Sequence, residues 1–205
     1  SNNMKNTAIL IFAGLLVFIA SLVAKMPANQ ILSRVTLPEE ISVSGVSGTL
    51  WDGNATQIIY NGIQVLDVNW QLDFLPLLIG NASLSLDAGS TRDPDSIAFN
   101  GDVVISRSHL TIDDGTLFAP TPLLLAQVQL PLPVSAKGRI KVEINELDYA
   151  KEGCETLSGK GFWLKGEVTG LQEQIALGNF EASLHCDNGP VEVITNPENS
   201  LNMAG

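Results

Sequence analysis

The sequence predicts a mainly β protein, in which one transmembrane helix precedes a curved, twisted antiparallel sheet of half-barrel or groove-like form with short helical segments. Three observations lead to this fold class. Residues 7–24 carry no charge, residues 66–74 alternate strictly between apolar and polar side chains, and Asn61-Gly62 separates two apolar runs as a hairpin turn does. The sequence shows no alternation of strands with helices, which argues against a parallel sheet.

The transmembrane helix is the first predicted element. Residues 7–24 would form a helix of about 27 Å, close to the roughly 30 Å hydrocarbon core of a bilayer. A cleaved signal peptide is the alternative, but a cut after Ala24 would leave the large Leu22 where a small residue is needed. The pattern therefore favours an uncleaved anchor. Residues 1–3, which precede Met4, are expected to be foreign to the natural chain.

The anchor divides the chain into two predicted parts. Residues 1–25 form a short cytoplasmic tail and the anchor, and residues 26–205 form one β-rich domain on the translocated side. Residues 27–34 are expected to make short turns at the membrane surface. The whole chain has a formal net charge of -11 and a pI near 4.4, and its few, scattered Lys and Arg residues argue against a nucleic-acid ligand.

The body of the chain shows the period of two that is typical of half-buried strands. In residues 66–74 the apolar side chains are Leu66, Val68, Trp70, Leu72 and Phe74, and every residue between them is polar. The same alternation recurs in residues 82–87, 140–145, 162–168 and 180–186. Antiparallel strands with one wet face give this pattern.

Local signals predict the connections. Asn61-Gly62 and Asp114-Gly115 both have the composition of a type I′ hairpin turn, in which the two central residues take positive φ angles. Residues 75–79 and 122–129 are expected to form short helices, because Pro122 suits a helix start and the proline at 131 ends one.

The stretch VSGVSGTLWDG, residues 43–53, is rich in small and polar side chains where a strand begins. Apolar side chains fall on odd positions up to Val43 and on even positions from Val46, so the alternation shifts at Gly45. One inserted residue, a β-bulge, would explain the shift. The Gly-Val-Ser-Gly spacing is one residue too short for a nucleophile elbow, which argues against a hydrolase site at Ser47.

The two cysteines, Cys154 and Cys186, are the only ones in the sequence. A zinc site needs more ligands, and His109 and His185 fall on polar faces of predicted strands. In an oxidising compartment the pair is predicted to form a disulfide, and two buried free thiols are the alternative. No set of residues with a catalytic, metal-binding or cofactor-binding pattern is found.

Two acidic pairs and one tryptophan are the remaining candidates for a binding site. Asp93-Pro94-Asp95 and Asp113-Asp114 lack the further oxygen ligands of a calcium loop and are expected to make Asx turns. Trp163 shares its predicted strand face with Lys165 and Glu167. We therefore expect Trp163 to be exposed, and it is the candidate contact surface for a partner or a membrane.

An ordered series of motifs resembles the N subunit family of the bacterial type II secretion system. The motifs are Met26-Pro27-Ala28 after the helix, SGTLWDG, DVNWQL, FLPLLIG, LPLPVSAKGRIKVEINEL, GCETLSGKGFW and FEASLHCDNG, the last two with one cysteine each. The similarity runs from about Met4 to the end of the sequence. No single motif is catalytic, and SGTLWDG is the most specific of them.

The resemblance implies a single-pass bacterial inner-membrane protein with its main domain in the periplasm. Such a protein is a non-enzymatic accessory component that supports export of folded proteins across the outer membrane through contacts with other inner-membrane or periplasmic subunits. A distant similarity to lipid-handling proteins with an open β groove leaves a second function open, the binding or transfer of lipid. Because the family continues further, the C-terminus is expected to be truncated, with residues 200–205 starting another strand.

Overall fold

The structure, a computed structural model, describes residues 2–126, 131, 134–170 and 173–196. In these residues ten strands form one antiparallel sheet, and their order in the sheet is their order in the chain. The first and last strands do not pair with each other, so the sheet is open. The predicted fold class, a mainly β protein with an antiparallel sheet that is not closed, is confirmed.

Four helices and ten strands make up the described part of the chain. The helices are α1 (Asn2–Ala24), α2 (Ala28–Arg34), α3 (Phe74–Leu77) and α4 (Thr121–Leu125). The strands are β1 (Ile41–Gly48), β2 (Asp52–Tyr60), β3 (Ile63–Leu72), β4 (Ala82–Ala88), β5 (Ala98–Ile105), β6 (His109–Pro120), β7 (Val134–Ala150), β8 (Gly153–Gly170), β9 (Glu173–Asp187) and β10 (Glu192–Thr195). The two short helices predicted after the anchor correspond to α3 and α4. Residues 127–129 of the second, and the strand expected at 200–205, lie outside the described residues.

Helix α1 contains the predicted anchor. Residues 3–24 have a mean hydropathy of 2.7 and are long and apolar enough to cross a membrane, and the helix is not buried against the sheet. The residues that follow it are tied to the start of the sheet. The Leu50 N–H donates to the Met26 carbonyl oxygen at 2.8 Å, and Pro27 forms an isolated β-bridge with Thr49.

The two predicted hairpin turns have different outcomes. Asn61 and Gly62 have φ angles of 49° and 80° and connect β2 to β3, as a type I′ turn requires. The prediction of a turn at Asp114-Gly115 is wrong, because both residues lie inside the continuous strand β6. Asp114 is a bulge with a φ of 50° and shifts the register between β5 and β6. Both features need a positive φ, so the same dipeptide serves either of them.

The prediction of a β-bulge at Gly45 is also wrong, although the alternation does shift at this residue. Ser44 pairs with Gln57 and Val46 pairs with Ala55, so the register of β1 and β2 is continuous and no residue is inserted. The alternation shifts because Gly45 has a φ of 68°. This angle reverses which face of the sheet the side chains after Gly45 occupy. A side chain is strained in that conformation, so the glycine serves the architecture of the strand.

The same conformation recurs in β3 at Asp67, which has a φ of 50°. Leu66 was predicted on the apolar face with Val68, but it is 43% exposed. Val65 packs instead against the cluster that contains Val68. The prediction for Leu66 was wrong because strict alternation holds only while every residue of the strand stays in the extended region.

Two small clusters form the core of the described part. The first consists of Ala55, Val68 and Ala88, and the second of Cys154, Leu157 and Cys186. Most of the other buried hydrophobic residues there are alanines, and none of its isoleucines, phenylalanines or tryptophans is fully buried. A sheet packed against a second layer buries large side chains. This sheet is therefore a single layer, and its apolar face is only partly covered by the described residues.

Candidate functional site

One continuous apolar face crosses the sheet from β3 to β9. Directly paired residues of antiparallel strands share a face, so the pairing register can be followed from strand to strand. A single row of paired residues consists of Leu72, Leu84, Val103, Ile112, Leu147, Leu157 and Cys186. The bulges within β6 and β7 keep the larger apolar side chains on this face on both sides of each bulge. We call it the apolar face.

The apolar face is most exposed at one end, where Ile105, Leu110 and Tyr149 pair with one another across β5, β6 and β7. We call these three residues the exposed row. Their exposed fractions are 48%, 36% and 50%, although each lies two residues from a more deeply placed apolar neighbour on the same strand. A contiguous exposed apolar surface on a protein marks a contact site. The exposed row is therefore the first candidate contact surface, and its members were not singled out from the sequence.

The structure places Trp163 on the same apolar face. It pairs with Ile140 on β7 and with Phe180 on β9. The expectation that it shares a face with Lys165 is wrong, because Lys165 has a φ of 52° and the register of β8 and β9 shifts at this point. Trp163 is half-buried, and its Nε1–H donates to the Lys137 carbonyl oxygen at 3.1 Å. The indole thus adds to the apolar face rather than to the polar one.

The structure joins Cys154 and Cys186 as a disulfide, and the chain has no free cysteine. Both sulfur atoms lie in the second core cluster, where Leu157 is their buried neighbour. The bridge links the start of β8 to the end of β9, beside the hairpin between β7 and β8. It therefore fixes the end of the sheet that carries Tyr149, which pairs with Cys154.

A cluster of one imidazole and two carboxylates lies at the same end of the sheet. His109 Nδ1 is 2.9 Å from Asp148 Oδ1 and 3.7 Å from Glu155 Oε2. Glu155 is the unpaired residue of a bulge, since its neighbours Cys154 and Thr156 pair with consecutive residues of β7. The hydrogen bond with Asp148 raises the pKa of His109 above its ordinary value, and the charge of Glu155 raises it further, against the opposing effect of desolvation.

The cluster of His109, Asp148 and Glu155 also has the donor types that divalent cations bind. Its ligand atoms lie within 4.8 Å of one another. One nitrogen and two oxygen donors suit Zn²⁺, with water in the remaining position. The grouping was missed from the sequence because the three residues come from three strands, and only the register and the bulge at Glu155 bring them together.

Replacing His109 by glutamine is expected to remove a pH-dependent part of the stability. Because the folded protein raises the pKa of His109, protonation stabilises the fold fully below the unfolded pKa near 6.5, and this contribution is lost as pH rises through the folded pKa. Urea-unfolding midpoints of wild type and His109→Gln should therefore differ at about pH 5.5 and converge near about pH 9. The exposed His185→Gln is the control, and parallel pH profiles for wild type and His109→Gln would contradict the prediction.

The remaining candidates from the sequence have structural roles. The Asp95 N–H donates to Asp93 Oδ1 at 3.0 Å, which is the predicted Asx turn. Ser47 lies on β1 opposite Asn54, and Asp113 lies on β6 opposite Glu146. The residue paired with Ser47 is an asparagine, which is not a base, so the pairing offers no activated serine nucleophile there.

Comparison with known proteins gives a consistent result. A family model described as "Type II secretion system (T2SS), protein N" matches residues 39–205. The chain is 27% identical over 177 residues to "Type II secretion system protein N" of Vibrio cholerae serotype O1, a match that covers 85% of this chain and 69% of that protein. It is 26% identical over 187 residues to the protein of the same name from Aeromonas hydrophila, covering 89% and 72%. No solved structure matches the chain.

The family match spans every strand of the sheet and begins after α1 and α2. A third relative, "Type II secretion system protein N" of Klebsiella pneumoniae, is 22% identical over 193 residues, which cover 92% of this chain and 73% of that protein. The match is thus to the chain as a whole and not to one motif. The chain belongs to the type II secretion system protein N family.

Proposed function

We propose that this secretion-system component is held in the inner membrane by α1, with its sheet in the periplasm, and acts through protein contacts without catalysis. The observation that carries the proposal is the apolar face, a single sheet layer whose large side chains are only half-covered by the described residues. Burial of such a face is favourable by roughly 25 cal/mol per Å² of apolar area. A partner that covers it would therefore gain binding free energy from apolar contact.

The exposed row and Trp163 are the proposed contact points on this face. Interfaces draw most of their binding free energy from a few large, often aromatic, side chains near the centre of the contact. Tyr149 is half-exposed with its neighbours Ile105 and Leu110 beside it, whereas Trp163 extends the face toward the other end of β8. The proposed partners are other inner-membrane or periplasmic subunits of the secretion apparatus.

Membrane location has a direct test. The chain is expected in the membrane fraction of a Gram-negative cell with its anchor uncleaved, because residues 3–24 are apolar throughout apart from Lys5 and a few small polar residues. Intact-mass measurement should show the mass of the uncleaved chain. Protease added to spheroplasts should digest the sheet. A soluble periplasmic product that begins near Lys25 would contradict the anchor, and protection of the sheet in spheroplasts would contradict its periplasmic side.

A lipid-handling role is the second candidate function, and the same apolar face favours it. The face is continuous from β3 to β9 and the sheet is open, so an acyl chain has apolar surface along which to lie. Under this alternative, enlarging a residue in the middle of the face, as in Val142→Phe, would displace lipid without unfolding the domain. Under the protein-contact role, the same change would reduce subunit binding.

Two measurements on the same cells separate the candidates. Chemical crosslinking in cells that carry the apparatus is expected to join this chain to another secretion subunit. Mass spectrometry of the purified chain is expected to find no stoichiometric phospholipid. Phospholipid at about one molecule per chain, together with an absence of crosslinks to any secretion subunit, would overturn the protein-contact role and establish the lipid-handling one.

A further inference from the structure

A second apolar surface lies away from the sheet, in the loop that contains α3. The segment Phe74-Leu75-Pro76-Leu77-Leu78-Ile79 has no charged or hydrogen-bonding side chain. Its side chains point outward: Leu75, Leu78 and Ile79 are 73%, 68% and 78% exposed. We call residues 74–79 the apolar loop. Exposure of so many large apolar side chains in one short loop is unfavourable in water.

The C-terminal half of the apolar loop and the two residues after it have their backbone N–H groups paired locally. The N–H groups of residues 78, 79, 80 and 81 donate to the carbonyl oxygens of residues 75, 76, 77 and 76, at 3.1, 3.2, 3.1 and 2.9 Å. Pro76 has no N–H to satisfy. Transfer of an unpaired backbone N–H into hydrocarbon costs several kcal/mol, so internal pairing is a condition for entry into a bilayer. The loop meets this condition along its C-terminal half.

The apolar loop lies beside the C-terminal turns of the anchor. Trp51 joins the two, because its Nε1–H donates to the Val23 carbonyl oxygen and its ring contacts Phe74 edge-on with the ring centroids 5.4 Å apart. A cleft of about 670 Å³ between anchor and loop is lined only by apolar residues, among them Leu16, Val23 and Phe74. Leu16 lies roughly 12 Å along the helix axis from the end of α1. Phe74, at the start of the loop, therefore faces the apolar span.

We propose that the apolar loop inserts into the periplasmic leaflet of the membrane crossed by α1, with a phospholipid acyl chain in the cleft beside Trp51. The proposal rests on the proposed membrane anchoring of α1. Because Phe74 and the anchor residues from Leu16 to Ala24 line one cleft, the start of the loop faces the acyl chains when α1 spans the bilayer. The anchor and the loop then form two attachments, which limit the rotation of the sheet about the helix and fix the direction in which the apolar face points.

The test places a fluorescent probe at three positions of the full chain in phosphatidylethanolamine–phosphatidylglycerol vesicles. The variants Leu78→Cys, Leu15→Cys and Val193→Cys are labelled with a polarity-sensitive nitrobenzoxadiazole group, while the native cysteines stay oxidised. Leu15 lies within the anchor, and Val193 is an exposed apolar residue on β10 at the far edge of the sheet. Quenching by lipids that carry a nitroxide on the acyl chain reports contact with hydrocarbon.

The expected result is a blue-shifted Leu78 probe that acyl-chain nitroxides quench to a degree similar to the Leu15 probe, with the Val193 probe unquenched. An unquenched Leu78 probe beside a quenched Leu15 probe would overturn the insertion of the loop and leave the anchor in place. If the Leu15 probe is also unquenched, the membrane anchoring fails and the inference fails with it. Since the vesicles contain no other protein, a loop that instead docks on a partner subunit gives an unquenched probe.

Discussion

Replacing both disulfide cysteines, Cys154 and Cys186, by alanine is expected to lower the free energy of unfolding by about 3 to 4 kcal/mol. The bridge closes a loop with a sequence separation of 32 residues, and its loss restores conformational entropy to the unfolded chain. This loss of free energy of unfolding is a large part of the total because the core is small. The bridge forms most of the second core cluster, in which Leu157 is the only other buried residue.

Urea unfolding of the detergent-solubilised chain, followed by circular dichroism of the sheet, measures this difference. Wild type treated with reductant is the matched control, because it keeps both sulfur atoms and loses only the bond. It should show most of the destabilisation of the double variant. Equal unfolding midpoints for oxidised and reduced wild type would contradict a stabilising role for the bridge.

Gly53→Ala is expected to destabilise the start of the sheet by about 1 to 3 kcal/mol, because the site has no room for a methyl group. A Cβ at this position would lie 2.2 Å from Trp70 Cζ2 and 2.8 Å from the Thr49 carbonyl oxygen. The indole cannot easily move away, since Trp70 Nε1–H donates to the Leu50 carbonyl oxygen at 2.9 Å. Trp70 also packs against the first core cluster, so its displacement would disturb that cluster.

Gly161→Ala is the matched control for Gly53→Ala. Gly161 also lies within a strand, but its nearest neighbour, a methyl group of Leu184, would be 3.8 Å from the new Cβ. The control is expected to leave stability unchanged or to raise it by up to about 1 kcal/mol, because alanine loses less conformational entropy than glycine on folding. Urea unfolding measures the free energy of unfolding of both variants and of wild type. Equal effects at the two positions would contradict the role assigned to the contact with Trp70.

The sequence was sufficient to predict the elements that depend on local pattern. Uniform alternation identified β4 and β9, the charge-free run identified α1, and Asn61-Gly62 identified one hairpin. Predictions from alternation fail where a residue inside a strand has a positive φ angle. Asp67 and Lys165 each interrupt the alternation, so Leu66 lies off the apolar face that holds Val68, and Trp163 lies on the apolar face. Aspartate is enriched in this conformation and lysine is not, but the residue type alone does not predict the conformation inside a strand.

The candidate contact surface was harder to predict from the sequence than the fold. Ile105, Leu110 and Tyr149 become neighbours only through the registers of two strand pairs, and the bulge at Asp114 sets one of those registers. Exposure of the row follows from the absence of a second layer over it in the described residues, which alternation alone does not reveal. The pattern predicts that one face is apolar, and the covering of that face depends on tertiary structure.

Site-specific photo-crosslinking from the apolar face tests the protein-contact role most directly. We would replace Tyr149, in the exposed row, with p-benzoylphenylalanine in cells that carry an active secretion apparatus. The control is the same replacement at Phe162, which pairs with Lys141 and lies on the opposite face of the sheet. The proposed function predicts a covalent adduct between the Tyr149 probe and another secretion subunit, and none from Phe162. A Tyr149 probe that forms no protein adduct while secretion proceeds would contradict it.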